Sequence, residues 1–142
     1  MATIRDLISN RTIHYVQPTQ TVFEAASYMV DRNVGAVPVL EDTRLVGIFS
    51  ERDIMRRVVT EGRDPLTTRI ADVMSTDIRT VGPGASSEEA MCLMQDHGVR
   101  HLPVCEGHTL VGFLSLRDLL HCHLDEKSGE AEMMRAYIQT ST

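Results

Sequence analysis

The sequence predicts a mixed α/β (α+β) fold, in which two β-α-β-β-α repeats pack about a pseudo-two-fold axis and an extra C-terminal helix follows. Three observations carry this expectation. Residues 18–54 overlay 83–119 without a gap, with 15 of 37 positions identical, a density that marks an internal duplication. Within each copy, hydrophobic periodicity changes from alternating to helical and back. Aromatic residues are only 4% of the 142 and Trp is absent, so the core rests on Val, Leu, Ile, Met and Ala, which suits layered packing of helices on a sheet.

Each repeat opens on a short alternating strand, "IHYV" at 13–16 or "IRTV" at 78–81, and then a proline turn at Pro18 or Pro83. Thr21 with Glu24, and Ser86 with Glu89, have the S/T-x-x-E spacing of a capping box, which satisfies the free N–H groups at a helix start. The helices are expected to run to about Asn33 and Gly98. Val22, Ala25, Ala26 and Met29 recur at helical spacing and define the buried stripe of the first.

The next segments, "GAVPVL" and "RHLPVC", read as short strands. Their prolines remove a ladder donor and point to a sheet edge. The turns "EDTR" and "EGHT" lead into "LVGIF" and "LVGFL", each ended by a serine. A second helix is expected from about Glu51 to Val59, and its counterpart from about Leu116 to Leu124. The predicted organisation is a first domain over 1–62, a linker over 63–69, a second domain over 70–124 and a helical tail over 125–142.

Composition narrows the function. The formal net charge of −6 argues against nucleic-acid binding, because a phosphate backbone is held by an excess of Lys and Arg. Cys92, Cys105 and Cys122 are odd in number and lack C-x-x-C spacing, which supports neither a disulfide frame nor a zinc knuckle. Neither a signal-peptide core nor a membrane-spanning stretch is legible. A cytoplasmic protein that requires no cofactor is expected.

The repeated G-h-h-S-x-x-D is the candidate site. Ser50 and Ser115 end a strand, and Asp53 and Asp118 follow three residues into a helix. A helix start attracts phosphate, and an aspartate at that depth can accept hydrogen bonds from the vicinal hydroxyls of a ribose. Arg52, with Arg56 and Arg57 one turn on, can supply charge to a phosphate chain. The same S-x-x-D is equally a capping box with no ligand at all. The preceding glycine favours a site, since glycine is costly in a strand and useful where something approaches the backbone closely.

The pattern P-x-x-[TS]-x-x-E-A…[VG]-x-P-V…L-V-G-[IF]-[FL]-S-x-x-D, twice in tandem over roughly residues 4–122, resembles a pair of cystathionine β-synthase (CBS) domains. The resemblance implies a regulatory module, not an enzyme, that binds AMP, ADP, ATP or NAD in clefts between the two repeats and signals by a change of shape or assembly. By that resemblance Asp53 and Asp118 hold ribose hydroxyls, and Ser50 and Ser115 sit near ribose and phosphate. Adenine lies on Ala36, Val37 and Pro38, or on Leu102 and Pro103. Arg100 and His101 match phosphate-contacting positions, whereas their first-copy counterparts are Gly35 and Ala36, so phosphate gripping concentrates on the second half. Arg117 stands where many relatives have a small residue, and either aids phosphate binding or fills part of the second cleft. The chain reads as a stand-alone pair acting on an unknown protein target.

Other chemistries fit less well. His121 and His123 lie about 200° apart around a helix and cannot share one metal ion. A nucleophile elbow G-x-S-x-G is absent from "GIFSERD". In the tail, Met133, Met134, Tyr137 and Ile138 fall at helical spacing, and the stripe is expected to close the core or to join two copies into a homodimer. The alternative to a nucleotide sensor is a structural, dimerising protein with non-functional clefts.

Overall fold

The computed structural model describes residues 3–126, the side chains of 123–126 excepted; the expected tail contact at Met133, Met134, Tyr137 and Ile138 lies outside the described residues. The chain forms α1 (Ile4–Ile8), α2 (Val22–Arg32), β1 (Ala36–Glu41), β2 (Arg44–Ser50) and α3 (Glu51–Asp53), which continues as a π-helical stretch over Ile54–Val59. Then come α4 (Ile70–Val73), α5 (Ser87–His97), β3 (His101–Glu106), β4 (Thr109–Ser115) and α6 (Leu116–Glu126). Two compact units result. One is Ile13–Ile78, and the other joins the N-terminal residues to Thr12 with the chain from Arg79 on.

In the unit of residues 13–78, Thr21 caps α2 by accepting from Glu24 N, while Glu24 accepts from Thr21 N. The Thr21 amide, and after it the Thr21 hydroxyl, donate to the Glu24 carboxylate and hold it below its ordinary value. The helix stops at Asn33, whose left-handed backbone (φ 55°) turns its N–H onto the Met29 and Val30 carbonyls. Strands β1 and β2 pair antiparallel, Ala36 opposite Ser50 and Glu41 opposite Arg44. Asp42 takes φ 56° in the tight turn between them. Val22, Ala25, Met29, Val37, Val39, Phe49, Val58, Ile70 and Val73 bury together behind this hairpin. Ala26, placed in the stripe by spacing, is only half-buried.

The second unit repeats the scheme. Ser86 caps α5 through Glu89 N, and Gly98 (φ 64°) ends the helix. Strand β3 pairs with β4, His101 opposite Ser115, through a turn at Gly107. Leu102, Val104, Leu114 and Leu119 join Ala90 and Met94 in the core.

The strands expected at 13–16 and 78–81 shrink to single parallel bridges, Val16 to Val39 and Val81 to Val104. Val16 N donates to Pro38 O and its carbonyl accepts from Leu40 N. Pro18 then turns the chain away, so the ladder cannot lengthen.

The short lead-in helices cross over. Helix α1 precedes the first repeat in sequence yet packs in the unit of the second, with Ile4 N donating to Ala85 O and Arg5 N to Pro83 O. Helix α4 does the converse, with Ile70 N on Gln20 O and Ala71 N on Pro18 O. Ile4 and Ile70 are each fully buried.

Candidate functional site

Both S-x-x-D motifs are closed capping boxes. Ser50 N donates to Asp53 Oδ2 at 3.0 Å, and Asp53 N donates back to Ser50 Oγ at 3.3 Å. In the second unit Ser115 N donates to Asp118 Oδ2 at 2.9 Å, and Asp118 N to Ser115 Oγ at 3.1 Å. One oxygen of each carboxylate is thereby engaged. The remaining Oδ1 decides what else each aspartate can do.

In the first unit the Ser75 hydroxyl donates to Asp53 Oδ1 at 2.9 Å. Ser75 is fixed by its backbone, which exchanges two hydrogen bonds with Ile48, N to O at 2.8 and 2.9 Å. Arg57 locks the same segment: its Nη1 donates to Met74 O at 2.8 Å and Val73 O at 3.3 Å, and its Nε lies 3.9 Å from Asp53 Oδ1. Arg57 therefore holds the end of α4. Asp53 is 5% exposed.

In the second unit Oδ1 of Asp118 meets Arg11 Nη1 at 2.9 Å, with the aspartate side chain 25% exposed and the arginine 47%. Burial alone would raise the Asp118 pKa, but the Ser115 amide and the Arg11 guanidinium outweigh it and hold the carboxyl below its ordinary value. The two aspartates thus differ in kind. One is buried, with the Ser75 hydroxyl bonded to its second oxygen and Arg57 farther off at 3.9 Å, and the other is partly exposed, with Arg11 directly on its second oxygen at 2.9 Å.

The hairpin register brings the remaining candidates to the serines. Ala36 faces Ser50, and Glu51 N donates to Gly35 O at 3.0 Å. His101 faces Ser115, and Leu116 N donates to Arg100 O at 2.8 Å. The side chain of Glu51 folds onto Gly35, its Oε1 lying 2.8 Å from where a Cβ would stand, so an acid occupies the first unit where the second has Arg100. The His101 ring stacks on Phe113 at 5.5 Å between centroids and 11° between planes. Arg52, Arg100 and Arg117 are exposed, and Ala36, Pro38 and Pro103 are buried. Val37 and Leu102 are core members, so what the proline strands offer a base at those two positions is main chain.

The glycines before the serines serve the fold. A Cβ on Gly47 would meet Met74 Sδ at 2.5 Å, and one on Gly112 would meet Ile8 Cγ2 at 2.5 Å. The close approach that the sequence left to a ligand is made by the lead-in helices.

Sequence reasoning missed Ser75 and Arg11. A signal for Ser75 exists: "IRDLIS" at 4–9 and "IADVMS" at 70–75 share I-x-D-x-x-S. Its offset of 66 (70 − 4) against 65 (83 − 18) for the main repeat hides it from a gapless overlay. A shallow surface hollow lined by Pro18, Thr19, Arg69, Ala71 and Asp72 includes none of the candidate residues. Among the described residues no group of three or more His, Cys, Asp or Glu is placed to hold a metal, and no helix is long and apolar enough to cross a membrane.

Known proteins share this architecture. The CBS domain family matches residues 4–60 and again 70–125. The CBS domain-containing protein YhcV of Bacillus subtilis is 40% identical over 119 residues, 84% of either chain. A solved structure of a protein with CBS domains from Burkholderia ambifaria superposes with a TM-score of 0.82 at 32% identity, covering 89% of this chain and 97% of that one. The CBS domain pair of protein MJ0100, solved in complex with 5′-methylthioadenosine and S-adenosyl-L-methionine, shares the fold at a TM-score of 0.77 and 19% identity, covering 89% and 98%. Duplicated strand-turn-serine units, boxed aspartates and these matches together make the chain a member of the CBS domain family, with two CBS domains in tandem.

Proposed function

We propose that this CBS pair is a regulatory module whose ligand is an adenine nucleotide, AMP, ADP, ATP or NAD, and that the second domain is its main binding half. The observation that carries the reading is the setting of Asp118. Its carboxylate is anchored at a helix start by the Ser115 amide, remains partly exposed, and has its second oxygen met by an arginine that solvent can reach. Such an oxygen can be handed to the vicinal hydroxyls of a ribose, as a buried, hydroxyl-bonded one cannot without breaking the fold. His101 lies opposite Ser115 in the hairpin and the Arg100 carbonyl accepts from Leu116 N, and we assign these two side chains to phosphate, where the first domain has Gly35 under the Glu51 carboxylate. Ser50, Arg52, Ala36, Val37 and Pro38 would then form the weaker site. Leu102, Pro103 and Arg117 complete the stronger one.

The adenosine ligands of the MJ0100 pair support the ligand class. The exposed apolar side chains of Phe23 and Val30 on α2, and of Met55 and Val59, support pairing into a homodimer whose geometry responds to ligand. A signal of this kind is bounded by the difference in ligand affinity between the two states.

A second reading has its own observation: the serine-aspartate boxes are complete without ligand, as a dimerising scaffold would have them. Thermal unfolding separates the two. Ligand at 100 times its Kd stabilises by about 2.7 kcal/mol, so a shift with AMP, ATP or NAD supports the sensor and none with all three supports the scaffold. AMP against 2′-deoxy-AMP, in the wild type and Asp118→Ala, tests the ribose role. A variant that prefers the ribonucleotide as strongly as the wild type would overturn it.

A further inference from the structure

Arg11 belongs to neither repeat motif, yet its guanidinium lies 2.9 Å from Asp118 Oδ1. It reaches there because α1 docks in the unit of the second repeat: Ile4 is fully buried, Arg5 N is bound to Pro83 O, and Ile8 lies over Gly112. After α1 ends, Asn10 takes a left-handed turn at φ 63°, and Arg11 N is tied back to Ile8 O at 3.3 Å. The guanidinium is thus delivered by a braced segment. The other oxygen of the same carboxylate is already committed to the Ser115 amide.

We propose that Arg11 competes directly with ligand in the second domain: it occupies the Asp118 oxygen that a ribose needs, so that binding a vicinal diol and holding Arg11 are mutually exclusive. The inference rests on the nucleotide reading above. Ligand entry then releases Arg11 and loosens the tether between the N-terminal segment and this domain, while α1 stays packed through Ile4 and Ile8. In the first domain Oδ1 of Asp53 accepts from Ser75, and the cation beside it, Arg57 at 3.9 Å, is itself tied to the Val73 and Met74 carbonyls.

The size of the effect follows from exposure. An ion pair between partly exposed side chains favours its closed form by roughly a factor of two to five. A ligand that must first open it has its affinity reduced to the open fraction of the intrinsic value. Removing the guanidinium should therefore tighten ribonucleotide binding about three- to sixfold.

Calorimetric titration of the full chain with AMP, adenosine and 2′-deoxy-AMP, in the wild type, Arg11→Ala and Arg11→Lys, tests this. Arg11→Ala is expected to tighten AMP and adenosine by that factor and to leave 2′-deoxy-AMP nearly unchanged. Arg11→Lys, which keeps the charge but not the planar fork, should fall between. Binding by the wild type that Arg11→Ala leaves unchanged, weakens, or alters equally for ribose and deoxyribose ligands overturns the role of Arg11 while the nucleotide reading stands. No binding of any of the three by the wild type or either variant overturns the nucleotide reading itself, and this proposal with it.

Discussion

The Ser75 hydroxyl donates to Oδ1 of Asp53 at 2.9 Å, and this bond ties the start of the second helix of the first repeat to the segment that leads into the second repeat. Asp53 is buried at 5% exposure, and its carboxylate oxygens are met by Ser50 and Ser75, with Arg57 nearby. Ser75→Ala leaves one carboxylate oxygen without that donor. The expected loss is about 2 kcal/mol, read as a lowered urea midpoint with unchanged slope. An unchanged midpoint would mean that water replaces the hydroxyl at no cost.

Gly47 and Gly112 occupy equivalent places but should not be equally intolerant. A Cβ on Gly112 runs into the branched Cβ and Cγ2 of Ile8 on the braced helix α1, whereas one on Gly47 first meets the flexible end of Met74. Overpacking of this kind costs about 1–3 kcal/mol. Gly112→Ala is expected near the upper end and Gly47→Ala near the lower, with Ile8→Ala restoring part of the loss in the Gly112 variant. Equal midpoints for the two glycine variants in denaturation would contradict this account.

Ser87 is fully buried, and its Oγ has no hydrogen-bond partner among the described residues. The first repeat has Val22 at the same place, also buried at 1% exposure. Ser87→Val removes an unsatisfied hydroxyl and fills the space with the side chain that the paired position already accommodates. A gain of about 1 kcal/mol is expected. A lower melting temperature in calorimetry would show that the hydroxyl does find a partner.

The Asp118 pair should make stability depend on acid in a defined direction. The folded carboxyl titrates below its unfolded value of about 3.9. The unfolded state therefore takes up the proton first, and the stabilisation, complete above that value, is lost as pH falls through the lower folded one. Compared with Asp118→Asn in urea denaturation from about pH 7 to 3, the wild type keeps a constant advantage at the upper end, and the advantage shrinks in the acid range. Arg11→Ala should shrink it at neutral pH as well. A gap that does not change with pH would mean that Asp118 gains nothing from ionisation.

Much of the fold is legible because its signals are local. Thr21 with Glu24, and Ser115 with Asp118, are three residues apart, and a helix start needs nothing further away to use them. The hairpins follow from short alternating runs flanking Asp42 and Gly107. The short strands at 13–16 and 78–81 misled for the same reason, since their alternation says nothing about Pro18 or Pro83 turning the chain after one bridge. The G-h-h-S glycines were legible as close approaches, but not as approaches by Met74 and Ile8.

From its order of residues alone, this chain declares two CBS repeats, the hairpin and capped helices of each, and a serine-aspartate box in each. Folding in three dimensions settled where the lead-in helices dock and which group meets the second oxygen of each aspartate, Ser75 in one half and Arg11 in the other. The reason is range: a box closes within one helical turn, while Arg11 and Asp118 meet only after α1 has been buried against the far repeat, and no spacing along the chain encodes that encounter.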